Sequence, residues 1–212
     1  MSLGQLLAIG LSVLLGVNYL IGMIVNRRKG VALFRWLRQG AQQVLGPVSE
    51  ARWIGSAASG ARLTVAQARA PFRRVEMIYL LATRELLPLL WLQRLRGRRD
   101  ELILQALLRK PPAGAWELVS KGDRRAQERM QAQGFRPGLD LGGWVVYHRG
   151  ELPPERERQI RQTVQRLGQR LRGLSVRPQP PHLVARVSLP DDLSRPAAEL
   201  FRALAEGLDR PQ

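Results

Sequence analysis

Two histidines, His148 and His182, and no cysteine supply all the imidazole and thiol in 212 residues. That supply excludes a disulfide framework, a thiolate nucleophile and a cysteine metal site, and two histidines are too few for a histidine-based metal cluster. Acid–base chemistry would therefore fall to carboxylates such as Glu76, Glu85 or Glu117. No spacing pairs any of them with a base or a second acid, and each reads as surface charge. His148 sits between Tyr147 and Arg149 near a strand end, where an imidazole is ordinarily solvated or holds one hydrogen bond, and His182 follows two prolines. The sequence holds no GxxxxGK[ST] phosphate loop, no GxGxxG after a strand, no GxSxG and no HExxH. It nominates no catalytic residue, no cofactor and no metal ligand. It leans away from an enzyme and leaves open one that acts on a membrane-borne substrate.

Charge is the more informative property. The chain carries 34 basic and 17 acidic residues, a net +17, which points to anionic partners. Only Lys29, Lys110 and Lys121 are lysine; the rest are arginine. Arginine suits phosphate because its planar fork makes paired hydrogen bonds. The bias runs through the whole chain, however, as it does when a GC-rich gene sets the composition. The distribution says more than the total: residues 27–52 carry a net +5 and residues 53–112 a net +7.

That basic half follows an apolar one. Leu3 to Val25 is 23 residues without a charge. As a helix it would reach about 34 Å, enough for a hydrocarbon core of about 30 Å. A secretory leader would have a basic start, a shorter apolar core and a small-residue cleavage site, and none of the three is present. Arg27, Arg28 and Lys29 abut its C-terminal end, while the other end has no basic side chain. The positive-inside rule then places the N-terminus outside and the remainder in the cytoplasm. Gly4, Ala8, Ser12 and Gly16 recur every four residues, a row through which two such helices can approach and form a homo-oligomer. Small residues are common in spanning helices for other reasons too.

Three regions follow from this: residues 1–26, a single transmembrane helix; residues 27–50, a basic juxtamembrane amphipathic helix; and residues 51–212, a cytoplasmic domain. In the second, Val31, Phe34, Leu37, Ala41 and Val44 form a helical stripe that Gly46-Pro47 closes, with Arg35 and Arg38 beside it. Such a helix lies either on lipid headgroups or against its own domain. In the third, "ARLTVAQA", "FRRVEMIYLLA", "DELILQALLRK", "AWELVSKG", "GGWVVYHRG" and "HLVARVSL" read as strands. "DRRAQERMQAQG" reads as a short exposed helix. "PPERERQIRQTVQRLGQRLRGL" reads as a long one, with Ile160, Val164, Leu167 and Leu171 on one face and Gly173 as its stop. "DDLSRPAAELFRALAEGL" closes the chain as an amphipathic helix. The expected fold is α+β: an N-terminal transmembrane helix, then a mainly antiparallel sheet with two or three packed helices.

One stretch fits two readings. "ELLPLLWLQRLRGRRDE" sets the apolar run Leu86–Leu92 against Arg94, Arg96, Arg98 and Arg99. Seven residues make about 10 Å of helix, too short to span. The run is either a buried connection between strands, the commoner use of such runs, or an interfacial wedge. In the wedge, Leu89, Leu90 and Trp91 enter the headgroup boundary and the arginines meet phosphates. Arg27, Arg28, Lys29, Arg35 and Arg38 would be further contacts to anionic lipid. Nucleic acid is the less favoured partner. Arg156, Arg158, Arg161, Arg166, Arg170 and Arg172 ring the long helix, yet no stacking aromatics are interleaved and no nucleic-acid motif is present. The function indicated is a membrane-anchored binding or scaffold module.

Overall fold

The computed structural model describes residues 2–82, 84 and 99–208. Its first element, α1 (Leu3–Val44), is one unbroken helix of 42 residues. Ser2 caps it: its hydroxyl accepts from the Gln5 N–H, and the Gln5 side chain accepts from the Ser2 N–H. Residues 27–44, read from the sequence as a separate juxtamembrane helix, continue the apolar segment without a break. No glycine–proline pair interrupts the turns before Gly46-Pro47, and the intervening Gly30 and Gly40 are tolerated where the helix packs closely.

The two halves of α1 have different surroundings. In the first, only Gly22 before Val25 is buried, and Leu7 and Leu14 are 66% and 65% exposed. In the second, Gly30, Leu33, Trp36, Leu37, Gly40 and Ala41 are buried in the domain. The inward stripe therefore centres one residue before the expected one: Val31, Phe34 and Val44 are only half-buried, and Arg35 and Arg38 face solvent.

Nine strands among the described residues form one antiparallel sheet: β1 (Glu50–Trp53), β2 (Gly60–Val65), β3 (Phe72–Leu80), β4 (Glu101–Leu108), β5 (Ala115–Ser120), β6 (Arg136–Asp140), β7 (Trp144–Arg149), β8 (Leu171–Val176) and β9 (Leu183–Ser188). The spatial order is β1-β2-β3-β4-β9-β8-β5-β7-β6. Three helices join it: α2 (Arg124–Ala132), α3 (Pro154–Leu167) and α4 (Ala197–Glu206). The α+β expectation is met, with a long apolar helix ahead of the sheet. Alternation fixes which side of each strand turns inward. Leu63, Met77, Leu104, Ala185, Leu174 and Leu118 face one another across six consecutive strands. They pack under Leu33, Leu37 and Ala41 of α1, Ile160 and Leu167 of α3, and Phe201 and Leu204 of α4. A smaller cluster on the opposite face joins Ala126 and Met130 of α2 to Val119, Phe135 and Tyr147.

Three strands escape sequence reading for identifiable reasons. β1 is four exposed edge residues with no alternation to detect. β6 contains Pro137 and Gly138, which ordinarily argue against a strand, and it lies at the other edge, where proline is tolerated. β8 was hidden inside the expected long helix. Leu171 continues the helical spacing of Ile160, Val164 and Leu167, but Gly168 adopts φ +53° and stops α3 there. The chain turns through Gly168–Arg170 and enters β8, in which Leu171 pairs with Val187. Gly173 lies inside that strand and is not the helix stop.

Candidate functional site at the helix–sheet junction

Where α1 passes from apolar to buried, it meets the sheet through polar groups. Gly30 sits so close to the turn after β1 that a Cβ there would lie 1.8 Å from the Ala57 carbonyl oxygen. The Tyr79 hydroxyl donates to the Gly30 carbonyl at 2.7 Å, and burial pushes that phenol's pKa well above its usual value. Fifteen residues on, the Leu45 carbonyl accepts from the Arg69 N–H at 2.7 Å, beyond the far end of β2. α1 therefore runs alongside β2. The sheet thus has a near end, level with Gly30, and a far end, level with Leu45.

At the near end lies a network of charges. The Asp100 side chain is 3% exposed and accepts from three donors: Arg84 Nη2 at 2.7 Å, Lys29 Nζ at 2.7 Å, and the Ala82 N–H at 2.8 Å. Arg84 Nη1 donates to Asn26 Oδ1 at 2.6 Å, and Asn26 Nδ2 returns to the Ala82 carbonyl at 3.1 Å. Lys29 Nζ also reaches Asp191 Oδ1 at 2.6 Å. Burial works to raise the Asp100 pKa; the hydrogen bonds from Arg84, Lys29 and the Ala82 N–H outweigh it and hold the carboxyl below the usual range. One buried carboxylate thus ties α1 to the end of β3, the start of β4 and the turn after β9. Each member of this network is satisfied, the condition under which buried charge holds one geometry firmly.

The cations expected to meet lipid fall into three groups. Arg27, Arg28, Arg35, Arg38 and Arg99 are exposed. Lys29 is 17% exposed at its side chain and is bonded to two aspartates of its own domain. Arg94, Arg96, Arg98, Leu89, Leu90 and Trp91 lie outside the described residues, as does Glu85. Their flanks are fixed, though: Ala82 and Arg84 precede the segment, Asp100 follows it, and all three belong to the network beside Asn26 and Lys29. Gly4, Ala8, Ser12 and Gly16 are exposed on α1, and the Ser12 hydroxyl donates to the Ala8 carbonyl of its own helix at 2.8 Å.

The groups that could do chemistry have structural partners. His182 is buried, and its Nδ1 accepts from the Leu108 N–H at 3.0 Å, which satisfies the last backbone donor of β4. His148 Nδ1 lies 2.7 Å from the Gly150 carbonyl. Glu76 pairs with Arg62 at 2.6 Å, and Glu117 with Arg177 at 2.8 Å. An open cleft of about 840 Å³ lies between Trp36 of α1, the end of α3 and the start of α4, with neither histidine in its wall. Of its four acids, Asp191 is held by Lys29, Asp192 by Ser194 and Glu206 by Arg166, and the fourth, Glu199, is exposed in the first turn of α4. Among the described residues no three His, Asp or Glu side chains gather as a metal would need. On α3 the arginines do not form one free row, since Arg166 is taken by Glu206 and Arg156 points Nη1 toward the Gly207 carbonyl.

Sequence reading passed over Asn26, Arg84 and Asp100, and each left a faint trace. Asn26 is the first polar residue after the apolar segment, and Asp100 is the one acid directly after the cluster Arg94–Arg99. The chain matches no protein-family model, and no curated protein aligns with it significantly.

Proposed function

We propose that this is a single-pass membrane protein whose N-terminus lies outside and whose α+β domain is held on the anionic cytoplasmic surface as a binding or scaffold module. The observation that carries the proposal is the division of α1. Its first half is apolar and, Gly22 apart, unburied as far as Val25, unlike the core helix of a soluble domain; its second half is the domain's own core. A helix that does both leaves no tether between bilayer and domain. Exposed Arg27 and Arg28 at the boundary support the inward orientation. Arg35, Arg38 and Arg99 would add attraction to anionic headgroups, with Arg94, Arg96 and Arg98 nearby in sequence. The run Leu89–Trp91 would act as the interfacial wedge, since both flanks of its segment are bound beside Asn26 and Lys29. The row Gly4, Ala8, Ser12, Gly16 offers a surface for pairing two copies in the bilayer.

The absence of native cysteine makes the test direct, because each introduced cysteine is the only one. In sealed vesicles of known orientation, Ser2→Cys is expected to react with an impermeant maleimide from outside, and Gln179→Cys only after the membrane is opened. A dye on Trp91→Cys is expected to be shielded from a water-soluble quencher. Labelling of Gln179→Cys from outside would overturn the orientation. Extraction of the chain by alkaline carbonate would overturn the span.

A further inference from the structure

Among the described residues, the large apolar side chains that stay exposed outside α1's first half are Trp53, Ile54 and Leu80. They are 41%, 37% and 40% exposed. Although they come from two places in the sequence, they share one corner of the fold. Trp53 ends β1 and pairs with Ala61; Ile54 starts the turn that packs on Gly30; Leu80 ends β3 opposite Gly60. That corner is the near end of the sheet, on the side of α1 where the apolar segment stops. Scattered single hydrophobes on a surface need no explanation, but three gathered where a bilayer would begin do.

We infer that Trp53, Ile54 and Leu80 form a second, interfacial contact with the lipid bilayer. The inference rests on α1 spanning the membrane, as proposed above. The distances suit it. Gly30 lies five residues beyond Val25, about 7–8 Å along the helix axis, while the interfacial layer is about 5–7 Å thick on each side. With α1 upright the turn stands at the outer edge of that layer, and Trp53, stacked on Phe34 nine residues beyond Val25, stands somewhat further out, about 13 Å along the axis. Spanning helices tilt by about 20° on average, and such a lean toward the turn lowers a point about 10 Å off the axis by about 3–4 Å. Trp53 carries the ring type that favours the headgroup level, and Phe34 supports it from behind with ring centroids 4.9 Å apart. Arg52, its neighbour in β1, is 61% exposed at its side chain and lies 3.9 Å from the equally open Glu50, an exposed pair that costs little to part. Of the acids at this end, Asp100 and Asp191 are engaged by Lys29, and Asp192 by Ser194 with Arg170 and Arg195 near it, while half-buried Glu101 stands opposite Leu80. The lipid occupant follows from continuity with α1's exposed apolar surface; a second copy of the chain is the competing occupant.

The test uses the full chain in vesicles with one spin-labelled cysteine at a time, comparing relaxation by oxygen, which partitions into lipid, with relaxation by a water-soluble nickel chelate. Val13→Cys reports the hydrocarbon interior, and Gln67→Cys, at the far end beside Gly46, reports water. Labels at Ile54→Cys and Leu80→Cys are expected between these two, at the headgroup boundary. If Val13 reads lipid while positions 54 and 80 read water like Gln67, the inference fails and the span stands. If Val13 itself reads water, the span fails with it. Protection at 54 and 80 together with dipolar broadening between labels would assign the corner to a second copy and overturn the lipid contact.

Discussion

Asp100→Asn is expected to lower the stability of the domain by about 3 kcal/mol, the low end of what removing one partner from a buried ion network costs. For a chain of this size that corresponds to a fall in Tm of about 6–12 °C. The substitution keeps the shape and still accepts from Ala82, so the loss isolates the charge that faces Arg84 and Lys29, whose side chains are 13% and 17% exposed. The effect depends on pH in a defined direction. Because the folded-state pKa of Asp100 is depressed, its contribution is fully present above the unfolded value near 4 and is lost as pH falls through the folded value. The gap between wild type and variant should be widest near neutral pH and close on the acid side of about pH 4. Thermal unfolding followed across that range checks both points. Adding Arg84→Gln to Asp100→Asn should cost less than the two single changes summed, because each removes a charge the other leaves unpaired.

Gly30→Ala carries the second large effect, and its sign is the informative part. On a free helix surface, replacing Gly by Ala gains up to about 1 kcal/mol. At Gly30 the new Cβ would sit 1.8 Å from the Ala57 oxygen and 3.0 Å from its carbon, both backbone atoms that no side-chain rotation can move away. The helix must lift from the turn, and the Tyr79–Gly30 hydrogen bond goes with it. A net loss of about 1–3 kcal/mol is expected, in the range of overpacked cores. Gly16→Ala, where a Cβ meets nothing within 4 Å, is expected to leave unfolding unchanged. Equal melting of the two variants would show that α1 does not seat on the turn through Gly30.

What the sequence revealed depended on whether the information was periodic. Strands β3, β4 and β9 alternate clearly and were legible; the apolar segment was legible because 23 residues pass without a charge. The end of α3 was not, because Leu171 satisfies a helical spacing and a strand register equally well, and only the left-handed backbone at Gly168 decides between them. The junction was illegible for a different reason. Asn26 stands 58 positions from Arg84 and 74 from Asp100, and nothing local distinguishes a buried aspartate from a solvated one. Trp53 and Ile54 fall in an unpatterned edge strand and its turn, and their meaning depends on which end of the sheet adjoins the apolar helix.

The continuity of α1 turns the protein into a mechanical lever. Forty-two residues in one helix make a rod of about 63 Å with no joint between the half exposed along its length and the half clamped by Asp100 and Gly30. Rotation of the apolar half about its own axis must therefore turn the whole sheet through the same angle. One residue inserted between Val25 and Asn26 would advance the phase by about 100° and lengthen the rod by about 1.5 Å. Whatever grips the apolar half sets the bearing of the domain.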